Sequence, residues 1–268
     1  MSRLEDVIAG ARTEGRGIFM PFLVVGDPDE ETSLELSRAL IRAGADILEF
    51  GFAFSDPPAD GPVIQLADQR ALAAGMTTDR AFDALARLRE ETEVPFTLLM
   101  YFNLILQYGV DAFYERCAQV GVDAVLIADV PVEECAPVVK AARDNGVAPI
   151  FIVSELTTPE RLERVCEHAR GYLYVVNFIG VTGERVEMQS KLQETLQTLA
   201  ARCELPLMVG FGISTAEHVR AVLDAGADGA IVGSAIIRQV AEHLDDPTAM
   251  VAAVEDLGRQ LAGATRAP

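Results

Sequence analysis

Ala43-Gly44-Ala45-Asp46-Ile47-Leu48-Glu49-Phe50-Gly51 reads as one unit: a glycine stop, an aspartate and a short apolar run. The run is too brief for a helix, and the glycine stands where a helix ends in a left-handed residue before a strand begins. The unit recurs. Val120-Gly121-Val122-Asp123 and Ala225-Gly226-Ala227-Asp228 each precede an apolar run, and Asn145-Gly146-Val147 is a looser copy. Working outward from these junctions, strands are expected at 18–24, 47–51, 96–101, 124–128, 149–153, 173–176, 207–210 and 230–232. Stretches of helical apolar spacing separate them, such as 31–43 with its stripe of Leu34, Leu36, Leu40 and Ile41. Strand–helix alternation implies a parallel sheet with right-handed crossovers. Eight such units favour closure into a single (β/α)₈ TIM barrel spanning residues 1–268. An open dinucleotide-binding sheet is disfavoured, because no G-x-G-x-x-G follows the first strand. Ser2, with Glu5 three residues on, forms a capping-box pattern, so a short N-terminal helix is expected to cover the barrel floor. Helical runs near Val240 and over 250–261 should complete the outer ring.

The chain carries 41 acidic against 22 basic residues, a formal charge of −19. Such a surface repels nucleic acid and anionic lipid, so neither is expected as a partner. Lys140 and Lys191 are the only lysines; low lysine with excess acid suits a salt-rich cytosol, and a GC-rich genome gives the same arginine bias. Cys117, Cys135, Cys166 and Cys203 form no C-x-x-C pair and fall in segments of helical pattern, which points to reduced, structural thiols. The N-terminus shows no basic region followed by an apolar run, and no stretch approaches the roughly 20 apolar residues of a membrane span. A cytoplasmic location is expected.

Barrel chemistry sits where strands end and the following loops begin. In 47–51, alternation places Glu49 on the face opposite Leu48 and Phe50, and toward the barrel interior if those two pack on the helices. A buried carboxylate is costly unless partnered, and desolvation raises its pKa into the range useful for proton transfer. The bland alternative is a structural Glu bridged to an arginine, but no arginine lies at any of the eight strand ends. The next loop, Phe52-Ala53-Phe54-Ser55-Asp56-Pro57-Pro58-Ala59-Asp60-Gly61-Pro62, adds Asp60 just before a helix start. Asp60 reads equally as a helix cap or as a second functional carboxylate.

The last three loops read as a phosphate site. Val209-Gly210-Phe211-Gly212-Ile213-Ser214 follows strand seven, and Ile231-Val232-Gly233-Ser234-Ala235 runs from strand eight into a helix. Backbone N–H groups at glycine-rich turns and a helix N-terminus bind phosphate without Lys or Arg. Gly180-Val181-Thr182-Gly183 has the glycines of a hinged flap. Neither lysine is expected at the mouth, which disfavours Schiff-base chemistry. His168, His218 and His243 lie in helical segments away from Cys and carboxylates, so no metal site is expected. What remains is carboxylate acid–base chemistry on a phosphorylated substrate. Large apolar residues at strand ends, among them Phe22, Leu99, Leu126, Ile152 and Phe211, suit a flat aromatic group.

These motifs resemble the tryptophan synthase α subunit family over essentially the whole chain. The matching stretches are Pro21-Phe22 through Gly26-Asp27-Pro28, Glu49, Phe54-Ser55-Asp56-Pro57, Ala59-Asp60-Gly61-Pro62-Val63-Ile64-Gln65, Gly180-Val181-Thr182-Gly183, Gly210-Phe211-Gly212-Ile213-Ser214 and Gly233-Ser234-Ala235. The resemblance implies retro-aldol cleavage of indole-3-glycerol phosphate to indole and glyceraldehyde 3-phosphate, in tryptophan biosynthesis. Glu49 then resembles the acid–base residue and Asp60 the carboxylate that holds the indole N–H. Phe22, Leu99, Leu126, Ala128, Ile152, Tyr174, Thr182 and Phe211 align with the indole pocket and its lid, and Gly183, Gly212, Gly233 and Ser234 with the phosphate cradle. The resemblance also implies no cofactor on this chain and a pyridoxal-phosphate-containing β subunit as partner in an α2β2 assembly. A free-standing indole producer and a non-catalytic activator of a β subunit are the alternatives. Val24, Ala53, Pro58, Asn177-Phe178 and Ser154-Glu155 depart from the family's usual residues, Ala53 and Pro58 in the loop that faces the β subunit.

Overall fold

Gly44, Gly121 and Gly226 each end a helix at positive φ, at 101°, 79° and 105°. The aspartate two residues beyond each glycine then fastens the chain to the preceding strand. Asp46 exchanges hydrogen bonds with Phe19, its N–H donating to the Phe19 carbonyl and its carboxylate accepting the Phe19 N–H, both at 2.9 Å. Asp123 does the same with Phe96 (2.8 and 2.9 Å), and Asp228 with Leu207 (2.9 and 2.8 Å). One local sequence unit thus makes one structural joint, used three times around the barrel floor.

The computed structural model describes residues 2–176, 185–210 and 212–266, with side chains throughout these except at 185–189. In chain order it runs α1 (Arg3–Thr13), β1 (Ile18–Val24), α2 (Glu30–Ala43), β2 (Leu48–Gly51), α3 (Pro62–Ala73), α4 (Thr78–Arg89), β3 (Phe96–Met100), α5 (Phe102–Tyr108), α6 (Val110–Val120) and β4 (Ala124–Ile127). It continues with α7 (Ala136–Asp144), β5 (Ala148–Val153), α8 (Pro159–His168), β6 (Leu173–Val176), α9 (Arg185–Ala200), β7 (Leu207–Gly210), α10 (Ala216–Asp224), β8 (Gly229–Val232), α11 (Ser234–Glu242) and α12 (Pro247–Thr265). The eight strands pair in sequence order, all parallel, and β8 closes on β1. The expected TIM barrel is therefore the fold. Strand limits differ from the sequence expectation by a residue at several ends, where ladder bonds run out. Among the described residues, no helix is long and apolar enough to cross a membrane.

Register decides which side chains face inward. Phe22 pairs with Glu49 and Glu49 with Thr97, while Leu99 pairs with Leu126 and Leu126 with Ile150. Their alternates Leu48, Phe50, Leu98 and Val125 pack outward against the helices. Inside, Met20, Ile47, Leu126, Ile150, Tyr172, Met208 and Ile231 fill the barrel, and Leu4, Ile8 and Ala11 of α1 plug it from below. The Ser2–Glu5 capping box forms as expected. Arg3 and Arg12 of α1 reach Asp123 (3.2 Å) and Asp228 (2.8 Å), so the plug is pinned to two of the three aspartate joints. Arg16 reaches the third, Asp46, at 2.8 Å.

Two of the four cysteines lie outside the helices expected for them. Cys117 and Cys166 are helical, but Cys135 sits between the 3₁₀ turn Val132–Glu134 and α7, and Cys203 follows α9. Both segments carry helical apolar spacing because they flank helices and bury the same face. All four thiols are free.

Candidate active site

Glu49 is the centre of β2, buried to 1% exposure, and faces the barrel interior as its alternation requires. Among the described residues, neither carboxylate oxygen has a hydrogen-bond partner. Burial, and then the negative charge of Asp60, push its pKa up to about 8. An unpartnered carboxylate at this depth is destabilising when charged, so the group is held as the neutral acid near pH 7.

Asp60 is not a cap. The N-cap of α3 is Gly61, and no side chain caps that end. The Asp60 carboxylate instead accepts a 2.8 Å hydrogen bond from the Tyr101 hydroxyl, and that hydroxyl accepts the Ala59 N–H at 3.2 Å. Tyr101 also packs its ring on Phe54, centroids 5.4 Å apart. Burial raises the Asp60 pKa and the Tyr101 bond offsets part of that rise. Burial and the Asp60 charge keep the phenol protonated, so it stays a donor. The irregular loop is thereby held at Phe54, Ala59 and Asp60 by one tyrosine from β3's end. Asp68 of α3 is buried, with one oxygen lacking a hydrogen-bond partner among the described residues. Burial, Asp60 and Asp27 raise its pKa to about 7. Asp27 has the opposite fate: Arg70 of α3 clamps both its oxygens, at 2.7 and 2.8 Å, tying the β1–α2 loop to the helix that follows Asp60.

A cavity of about 290 Å³ opens above these groups. It brings together Phe22, Glu49, Asp60, Leu99, Tyr174, Gly212, Gly233 and Ser234 of the residues expected from sequence. Two glycines make its apolar walls possible. A Cβ on Gly51 would stand 2.8 Å from the Phe22 ring, and one on Gly210 only 2.4 Å from the Tyr174 hydroxyl. Bare backbone at these positions is what lets both rings lie across the mouth.

Three expected residues lie elsewhere. Leu126 is buried in the interior cluster beneath the cavity. Ala128 and Ile152 have the inward register but line a neighbouring hollow of about 400 Å³ between the ends of β4 and β5, with Pro131, Ser154 and Leu156. Thr182, Gly183 and Phe211 lie outside the described residues, as do Asn177 and Phe178. Glu155 is exposed and lines an outer groove with Lys191, away from the cavity. Lys140 is on the surface of α7, paired with Asp144. Val24 is buried at the end of β1, and Pro58 is exposed. Among the described residues, no three His, Cys, Asp or Glu side chains are grouped to hold a metal ion.

Sequence reasoning passed over two site residues. Tyr101 continues the inward series Thr97, Leu99 and was open to the same alternation argument that found Glu49. Arg238 also lines the cavity, whereas the phosphate loops alone suggested a site without cations. Its signal was its place one helical turn beyond Ser234.

The tryptophan synthase alpha chain family model matches residues 8–266. The tryptophan synthase alpha chain of Methanothermobacter thermautotrophicus is 49% identical over 246 residues, 92% of this chain and 91% of that one. That of Klebsiella pneumoniae subsp. pneumoniae is 45% identical over 267 residues, 99% of each chain. Among solved structures, tryptophan synthase subunit alpha from Legionella pneumophila str. Paris matches with a TM-score of 0.91 at 33% identity, covering 99% of this chain and 98% of that one.

Proposed function

This chain belongs to the tryptophan synthase alpha chain family and is thus a carbon–carbon lyase of tryptophan biosynthesis acting on indole-3-glycerol phosphate, and we propose that Glu49 and Asp60 carry its chemistry. The observation that carries this assignment is a Glu49 carboxyl that is fully buried, without a hydrogen-bond partner among the described residues, and open to the same cavity as Asp60.

The reaction needs a proton at indole C3 and a base for the side-chain hydroxyl. Neutral Glu49 delivers its proton to C3, which makes that carbon tetrahedral and places positive charge on the ring nitrogen. Asp60, ionised and held by Tyr101, accepts the indole N–H and stabilises that charge. The bond from C3 to the hydroxyl-bearing carbon then breaks, its electrons returning to the ring as the hydroxyl proton passes to the Glu49 carboxylate. Indole and glyceraldehyde 3-phosphate leave, and Glu49 is again protonated. Phe22, Leu99 and Tyr174 offer the flat apolar walls, with Gly212, Gly233 and Ser234 as the phosphate cradle. Gly183 completes the cradle and Thr182 and Phe211 the pocket and its lid in this reading, with Leu126 beneath the pocket and Ala128 and Ile152 in the hollow beside it.

The partner is a tryptophan synthase β subunit, in an α2β2 assembly whose pyridoxal phosphate sits on β alone. The exposed Ser55, Asp56 and Pro58 of the Asp60 loop give that subunit a direct mechanical handle on the site. The complex works in the cytoplasm.

The purified chain mixed with indole-3-glycerol phosphate should release indole, and Glu49→Gln should slow turnover by about 10²–10⁴ with KM little changed. Wild-type turnover in that variant would remove Glu49 as the proton carrier.

A further inference from the structure

We infer that Arg238 supplies the positive charge that draws the substrate's phosphate onto the glycine cradle, an assignment that rests on the phosphate-site reading above. Arg238 lies one turn after Ser234 on α11, and both are exposed while Ala235, Ile236, Ile237 and Val240 bury the opposite face. Helical side chains lean toward the helix N-terminus, so an arginine here extends back over Ser234 and Gly233. It accordingly lines the cavity beside Gly212, Ser214, Gly233 and Ser234.

The charge balance of the cavity favours such a group. Apart from the Tyr174 phenol, its other ionisable lining residues among those described are both acids, Glu49, held neutral near pH 7, and Asp60, in a chain of formal charge −19. A phosphate ester entering there meets a field of its own sign, and backbone N–H groups supply only partial charges to oppose it. Among the described lining residues, Arg238 is the one cation. It is also uncommitted. Many arginines elsewhere are held by carboxylates, as Arg3, Arg12, Arg16, Arg38, Arg42 and Arg70 are, but Arg238 has no ion pair or hydrogen bond among the described residues. An arginine left unpaired amid excess acid, at the rim of an anion cradle, is free to pair with an incoming anion. Its planar fork matches two phosphate oxygens, which an ammonium group does not.

The test is steady-state kinetics with indole-3-glycerol phosphate on Arg238→Gln, Arg238→Lys and Gly233→Val, with inorganic phosphate and indole as competitive inhibitors. Gly233→Val is chosen because Gly233 has φ −106°, so the variant obstructs the cradle without forcing a left-handed backbone. For Arg238→Gln we expect KM to rise about 10- to 100-fold, kcat to stay within about twofold, and phosphate inhibition to weaken in step with KM. Indole inhibition should not move, and Arg238→Lys should recover part of the loss. Added salt should raise the wild-type KM more steeply than that of the Gln variant. If Gly233→Val raises KM and Arg238→Gln does not, the cradle stands and Arg238 has no part in it. Equal losses of phosphate and indole affinity in Arg238→Gln would overturn the inference too, since they report general damage. Unchanged KM in both variants would place the phosphate elsewhere and remove the reading on which the inference rests.

Discussion

The floor and the mouth of this barrel both bury carboxylates, and they treat them in opposite ways. On the floor, Asp46, Asp123 and Asp228 each accept a strand N–H and face an arginine. At the mouth, among the described residues, Glu49 has no hydrogen-bond partner, one oxygen of Asp68 has none, and Asp60 has a neutral tyrosine rather than a cation. A paired buried acid is a joint, because removing either partner strands the other. An unpaired one costs stability, and its raised proton affinity is the property that proton transfer uses. Asp46 and Glu49 show the difference at its shortest range, three residues apart, the one just before β2 and the other within it.

The strongest way to break this contrast is to exchange the two behaviours by mutation. Glu49→Gln should lose the turnover stated above and yet melt higher than the wild type at alkaline pH. The sign follows from linkage. Glu49's folded-state pKa of about 8 lies above its ordinary value of 4.5, so its stabilising share is complete below 4.5 and is lost as pH rises through 8. The melting-temperature advantage of the variant should therefore be absent near pH 4.5 and full above pH 8. A Gln variant that melts lower at pH 9 would make Glu49 a joint like the floor aspartates.

Asp123→Ala should do the reverse. It removes one of the two carboxylates that hold Arg3 and the acceptor of the Phe96 N–H, and leaves Arg89, 3.6 Å away, facing no carboxylate there. Urea unfolding should show a loss of about 3–5 kcal/mol, with kcat of the folded enzyme within about twofold. A large fall in kcat at full folding would mean the floor is coupled to the chemistry.

A smaller effect sharpens the mouth alone. If Glu49 must start protonated, kcat/KM should fall about tenfold per pH unit above its pKa. A rate flat to pH 10 would exclude Glu49 as the initial acid. The smallest effect concerns the positioning of Asp60. Tyr101→Phe keeps the ring against Phe54 and deletes the hydroxyl, and should lower kcat about fivefold, the worth of roughly 1 kcal/mol of hydrogen bonding. No change would leave Asp60 positioned by its loop alone.

Much of this was open to a reader of the sequence, because the signals involved are local. A two-residue period puts Glu49 on the face opposite Leu48 and Phe50 whatever surrounds it, and a glycine at positive φ ends a helix without the steric cost another residue would bear. The eight strands and the repeated glycine–aspartate joint follow from those two facts. The conformation of the Asp60 loop does not, since an irregular segment has no period to read. Only closure of the barrel brings the Tyr101 hydroxyl, from a strand 41 residues on, to its carboxylate. Ala128 and Ile152 show the same limit from the other side. Their inward register was readable, but the hollow that each lines depends on where its strand stands around the barrel, and that is a property of closure. Arg238 enters the site because α11 is seated against the barrel with Ser234 at the rim. Periodicity decides the face of an element; the packing of distant elements decides what that face meets.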